Sequence, residues 1–163
     1  MWPFGDRERS KARAKRRAGT AALRKGDLPA AIALLSQAVE ADPADVGAVL
    51  NLGLAHHHAG QHTKAIERFR QAIELDPRDT RAYLNIAAAE NALGHLDNAE
   101  AALLQALQIN PRQAGVHYNL AVIYLKRRQI PNAMAEMELE LAINPGHTET
   151  QAAIKALRER LMP

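Results

Sequence analysis

The sequence predicts an all-α solenoid of antiparallel helix pairs, on three observations. The first is a period: the dipeptides Asp42-Pro43, Asp76-Pro77, Asn110-Pro111 and Asn144-Pro145 stand 34 residues apart each time, without insertion or deletion. The second is a set of small-residue columns in the same register: Gly26, Gly60 and Gly94; Ala31, Ala65, Ala99 and Ala133; Ala38, Ala72 and Ala106; and Gly19, Gly53, Ala87 and Ala121. The third is composition. Apolar residues make up 47% of the chain but aromatic ones only 4%, so Ala, Leu and Ile must fill the core, which suits close-packed helices better than a β-sandwich.

Each column has a physical reason. A glycine closes a helix where a left-handed conformation is needed, free of a Cβ penalty. The Asx-Pro step stops the next helix, because the residue before proline avoids helical dihedrals. Small residues let two helix backbones approach, and bulkier ones would overpack by about 1–3 kcal/mol. Between the stops the apolar spacing is helical, as in Leu50, Leu52, Leu54 and Ala55, and in Ile66, Phe69, Ile73 and Leu75. The predicted pairs are 7–25 with 28–41, 46–59 with 62–75, 80–93 with 96–109, and 114–127 with 130–143. A ninth helix is predicted at 148–161, opened by a Thr148/Gln151 capping box. The chain divides into a basic tail and helix start at 1–11, repeats at 12–45, 46–79, 80–113 and 114–147, and a capping helix at 148–163. Ala65, Ala72, Ala99 and Ala106 are expected to be buried between helices.

Several functions lack their residues. There is no cysteine, which excludes disulfides and thiolate metal sites. No apolar run reaches the length of a membrane span or a signal-peptide core, and a cytoplasmic location is expected. Neither a Gly-rich phosphate loop, a Ser/His/Asp arrangement nor a dinucleotide fingerprint is present. Glu136, Glu138 and Glu140 alternate by two, which splays them over different helix faces. The sequence therefore predicts no enzyme and no cofactor. His56, His57, His58 and His62 invite a metal reading, yet consecutive helical residues point about 100° apart and cannot all face one ion. Gly60 should break the helix between His58 and His62, and no cysteine or carboxylate stands beside them to complete a shell. No metal site is expected.

The formal charge of +3 is unevenly spread: residues 1–17 carry +5 and the remainder −2. Met1-Trp2-Pro3-Phe4 followed by basic residues suits an anchor on an anionic membrane surface, or backbone contact with RNA or DNA. The plainer reading is a solvated first helix with a frayed tip.

The period, together with Leu50-Asn51-Leu52-Gly53, Leu84-Asn85-Ile86-Ala87 and the Ala65, Phe69, Ala72, Pro77 pattern, resembles the tetratricopeptide repeat. The resemblance spans 12–147, and the terminal helix is similar to that family's solvating cap. It departs at Lys15, where a large apolar residue is usual, at Arg128 in the glycine column, and at Glu140 in an alanine column. The resemblance implies a right-handed superhelix, its concave face lined by the first helix of each pair, that binds a protein or peptide. It also implies that His56 packs where the family often has tyrosine.

Projected onto that geometry, the peptide-binding groove comprises Asn51, Asn85 and Asn119, one repeat apart, with an apolar strip of Leu50, Leu54, Leu84, Tyr118 and Val122. An amide is both donor and acceptor, so a ladder of asparagines suits a peptide backbone of any sequence. The alternative, that each asparagine bonds to a neighbouring turn, stays open. Arg13, Arg16, Arg17 and Arg24 would face an anionic part of the partner, grading the groove from basic to neutral. The family's two-cation clamp on a chaperone C-terminus is not predicted: the matching positions are Arg16, Thr20, Asn51, Leu84 and Ala88, and the last two cations are missing. The expected function is an adaptor for a peptide or partner segment; the alternative is a peripheral membrane or nucleic-acid binder acting through the basic first helix. Finally, Glu140 is expected to face the terminal helix and pair with Lys155 or Arg158.

Overall fold

A computed structural model describes residues 6–161. Within them lie α1 (Asp6–Lys25), α2 (Leu28–Ala41), α3 (Val46–His58), α4 (His62–Leu75), α5 (Thr80–Ala92), α6 (Leu96–Ile109), α7 (Val116–Lys126), α8 (Ile130–Ile143) and α9 (Thr148–Leu161). Helices and turns account for every described residue, with no strand among them. The Met1-Trp2-Pro3-Phe4 segment lies outside the described residues.

The turn inside each pair is built by the backbone. At Gly26, Gly60 and Gly94 φ is 78°, 73° and 81°. Each forms a Schellman closure, in which the residue after the glycine donates to the carbonyl five positions earlier: Asp27 to Ala22, Gln61 to His56, and His95 to Glu90, at 2.9–3.0 Å. Arg128, standing where the other repeats have glycine, adopts φ 60° and the same closure, Gln129 N–H to Tyr124 C=O at 2.8 Å. The departure thus leaves the turn intact and places a non-glycine residue in the left-handed region.

The small columns meet large ones. Gly19, Gly53, Ala87 and Ala121 are matched, 16 residues on, by Leu35, Phe69, Leu103 and Met137, all four of which are 0% exposed. A Cβ on Gly53 would lie 2.5 Å from Phe69 Cε1 and one on Gly19 2.7 Å from Leu35 Cγ, so the glycines admit these side chains. Ala65, Ala72, Ala99 and Ala106 are 0% exposed, as the repeat register required. One continuous core runs from α2 to α7; Ala121, Ala133, Met137 and Ile154 form a second cluster that seats α9 on the last pair.

The first helices of successive pairs touch one another, α1 on α3, α3 on α5 and α5 on α7, while the second helices make no comparable contact. The array therefore curves with the first helices on its inner side.

Helix starts follow a column of their own. Asp45 caps α3 by accepting the Ala48 N–H at 3.1 Å, and Asp79 caps α5 by accepting that of Arg81 at 3.0 Å. The next residue in that column is Gln113, which makes no cap. Here α7 begins at Val116 and not at 114 as predicted, because Gly115 takes φ 83° and stands outside the helix. Glu140 fills the gap: its two oxygens accept the Gly115 N–H at 2.9 and 3.0 Å, and its side chain is fully buried. The expected ion pair with the terminal helix is not formed. Lys155 instead lies 4.0 Å from Glu159, and Arg158 3.8 Å from Glu138. The carboxylate points along its own pair, toward the α7 start, where helix N-terminal charge favours it. The fourth member of the column, His147, accepts the Thr150 N–H through Nδ1 at 3.2 Å, so it caps α9. The expected Thr148/Gln151 box is replaced, since Gln151 donates its amide to the Pro145 carbonyl and Thr148 its hydroxyl to Glu149.

Candidate functional site on the inner helices

The inner surface carries part of the predicted groove. Leu54, Leu84, Tyr118 and Val122 are half-buried there, beside Asn51, Asn85 and Asn119. Leu50 is not part of it. Only 4% exposed, it joins the core with Val49 and Leu52. The reason is that α3 is flanked by α1, α2, α4 and α5, so it is buried on all but a narrow stripe.

The three asparagines are unequal. The Asn51 amide donates to Thr20 Oγ1 at 2.9 Å, and Thr20 in turn donates to the Arg16 carbonyl at 2.8 Å. Asn119 donates to the Gly115 carbonyl, one turn back, at 2.7 Å. Among the described residues the Asn85 side chain has no hydrogen-bond partner. One amide N–H at each end of the ladder is thus engaged, by Thr20 of α1 and by the Gly115 carbonyl, while Asn85 keeps its whole amide open to a ligand.

The basic end is divided. Arg16, Arg17, Thr20, Arg24 and Asn51 line an open cavity of about 280 Å³ between α1 and α3. Arg13 lies with Arg9, Ser10, Ala14 and Arg17 on a second concavity of about 430 Å³ along α1. Arg17 borders both. Arg16 is tied to Asp45 at 3.2 Å, which joins α1 to the cap of α3, whereas Arg13, Arg17 and Arg24 are exposed. At the other end Lys126 reaches Asn91 Oδ1 at 2.5 Å, and Tyr118 leans on the His147 ring, centroids 4.9 Å apart. The positions of the chaperone-tail clamp carry no cation beyond Arg16, since Leu84 and Ala88 are half-buried apolar residues on α5.

Behind the groove, the pairs are joined through polar groups. Arg127 on the α7–α8 turn bonds Glu100 at 2.5 Å and also Asp97, both on α6, and Tyr124 donates to Glu100 at 2.9 Å. The Arg127 hydrogen bond holds the Glu100 carboxyl below its ordinary range. A carboxylate with a depressed folded value stabilises the fold above its ordinary value and loses that contribution as pH falls. Arg127→Ala is expected to reduce the acid-dependent part of the stability curve, measured by urea unfolding at pH 3–7.

The histidines differ from expectation. His56 packs at 9% exposure with Nδ1 2.8 Å from Gln61 Oε1. His57 does meet His62: their Nδ1 atoms are 3.2 Å apart and the ring centroids 4.9 Å. Sequence reasoning compared His58 with His62 at helical spacing and missed the true pair. The signal was the turn itself, because a Schellman closure brings together residues five apart, as His56 meets Gln61 and Glu90 meets His95. Among the described residues no group of three or more histidines and carboxylates is arranged to hold a metal ion. Burial, then the charges of His62 and His58, push the His57 pKa below its ordinary 6.5. A histidine with a depressed folded value binds fewer protons folded than unfolded, so stability falls as pH drops below about 6.5. His57→Leu should flatten the stability curve between pH 5 and 7; an unchanged slope in urea titrations would show that other groups set it.

Among the described residues, successive helix pairs with a curved inner face and a last helix packed on the final pair define a helical-repeat solenoid. The chain belongs to the tetratricopeptide-repeat family, whose model matches residues 16–80, 59–114 and 84–148. No curated protein matches the sequence significantly. Among solved structures, the chain is similar to MamA at 26% identity and TM-score 0.75, over 92% of this chain and 85% of that one. It is also similar to Pseudomonas aeruginosa PilF at 25% identity and TM-score 0.82, over 93% and 71%. The first repeat domain of Spaghetti (RPAP3), solved with an HSP90 peptide, shares the fold at 23% identity and TM-score 0.69, over 73% and 94%. No described helix is long and apolar enough to cross a membrane.

Proposed function

We propose that this protein is a non-catalytic adaptor that holds an extended peptide or partner segment of another protein along its inner face. The module comprises the four units 12–45, 46–79, 80–113 and 114–147, closed by the segment 148–163 that carries α9. The observation that carries this reading is what the first helices of the pairs leave accessible. Leu54, Leu84, Asn85, Tyr118 and Val122 on α3, α5 and α7 are half-buried, and Arg16, Arg17, Arg24 and Asn51 line an open cavity between α1 and α3. Apolar side chains supply area, the asparagine pairs with a peptide backbone, and the arginines select an acidic end. The likeness to a repeat domain solved with a peptide supports the same direction.

Fluorescence anisotropy with labelled peptides, one acidic at one end and one with its charges reversed, tests the polarity. Arg17→Glu with Arg24→Glu should weaken the acidic peptide most, and Asn85→Ala should cost about 0.5–1.5 kcal/mol, up to roughly tenfold in affinity. Equal affinity for both peptides would refute the acidic end. A second reading, contact of α1 with nucleic acid or anionic lipid, draws on the concavity lined by Arg9, Arg13 and Arg17. Salt separates the two: backbone binding to a polyanion falls steeply between 50 and 200 mM, whereas groove binding changes modestly.

A further inference from the structure

We propose that His57 and His62 form a binding site for a borderline divalent transition ion such as Zn²⁺ or Cu²⁺, clasped across the turn between α3 and α4. The two Nδ1 atoms lie 3.2 Å apart. Metal–imidazole bonds of about 2.0–2.1 Å meeting near the tetrahedral angle separate their nitrogens by about 3.3 Å. The pair is thus already close to the bite of a chelate.

The repeat supplies an internal reference. One column holds Leu23, His57, Asn91 and Leu125, and the other Leu28, His62, Leu96 and Ile130. The first and last repeats place two apolar residues at these positions, the third places one, and the second places imidazoles at both. Packing alone does not call for that exchange, since the same turn closes with leucines. The backbone also fixes the approach: Gly60 N–H bonds to the His57 carbonyl at 3.0 Å and Gln61 N–H to that of His56 at 2.9 Å, so both Cα positions are held before any ion arrives.

Both rings are half-buried, leaving one side toward water. At present one Nδ1 must donate to the other. On binding, that proton is exchanged through solvent to Nε2 of the same ring, so both Nδ1 lone pairs face the ion and each imidazole stays neutral. Two nitrogen ligands leave the remaining positions to water or to a side chain of a bound partner. Nitrogen ligation favours Zn²⁺ or Cu²⁺ over Mg²⁺ and Ca²⁺, which require oxygen.

The test is isothermal titration of ZnCl₂ and CuCl₂ into the full chain, free of any histidine tag, at pH 7.5. The wild type should bind one equivalent saturably and MgCl₂ should give no heat. His57→Leu and His62→Leu should each lose at least tenfold in affinity, while His95→Gln retains it. Leucine at these columns is what the first repeat carries, so the variants should fold, as circular dichroism will check. Nuclear magnetic resonance of the wild type gives an independent readout: Zn²⁺ should shift the His57 and His62 Nδ1 resonances and leave His56 in place. Absence of saturable binding below 1 mM, binding that survives both leucine variants, or shifts confined to other histidines would overturn the proposal.

Discussion

Gly53→Ala is expected to destabilise the protein by about 1–2 kcal/mol, and adding Phe69→Leu should recover most of that loss. The added methyl would meet the Phe69 ring at 2.5–3.1 Å, and the ring is fully buried with no open side toward which to retreat. Alanine has the better helix propensity by about 1 kcal/mol, but displacing a buried ring costs more. Phe69→Leu alone should also destabilise, by roughly 1 kcal/mol or more, because it leaves a cavity beside Gly53. Together they recreate the pairing of the third repeat, where Ala87 and Leu103 are 2% and 0% exposed. Urea unfolding of both single variants and the double variant measures the coupling. Strict additivity would show that the two columns do not pack as a unit.

Glu140→Ala should be the most costly change at the C-terminal end, at about 1–3 kcal/mol. From sequence alone it reads as a return to the alanine column, and a stabilising one. The structure reverses the sign, because the carboxylate provides both acceptors of the Gly115 N–H at an α7 start that Gln113 leaves uncapped. Glu140→Gln keeps one acceptor oxygen and should lose less. Combining Glu140→Ala with Gln113→Asp should restore stability, since aspartate in that column caps α3 and α5. Thermal unfolding of the three variants ranks them. Equal midpoints for Glu140→Ala and wild type would mean that the buried charge costs as much as its bonds return.

The sequence by itself determined the period, the helix pairs, the glycine turns and the buried alanine columns. These follow from local rules: Gly26, Gly60 and Gly94 stop helices by their dihedrals, and proline restricts the residue before it whatever surrounds it. It also set Asn51, Asn85 and Asn119 in one column, because a fixed 34-residue register carries one helix face onto the next. What depended on contact between distant elements was decided only in three dimensions. Leu50 left the groove because four helices crowd α3. Asn51 and Asn119 proved to be engaged by Thr20 and Gly115, a matter of where the neighbouring turns lie. The partner of Glu140 is a backbone N–H 25 residues earlier, exposed by a left-handed Gly115 that no periodicity marks. His62 met His57 and not His58 because a helix that closes through a left-handed residue folds back, and folding back sets side chains five apart face to face.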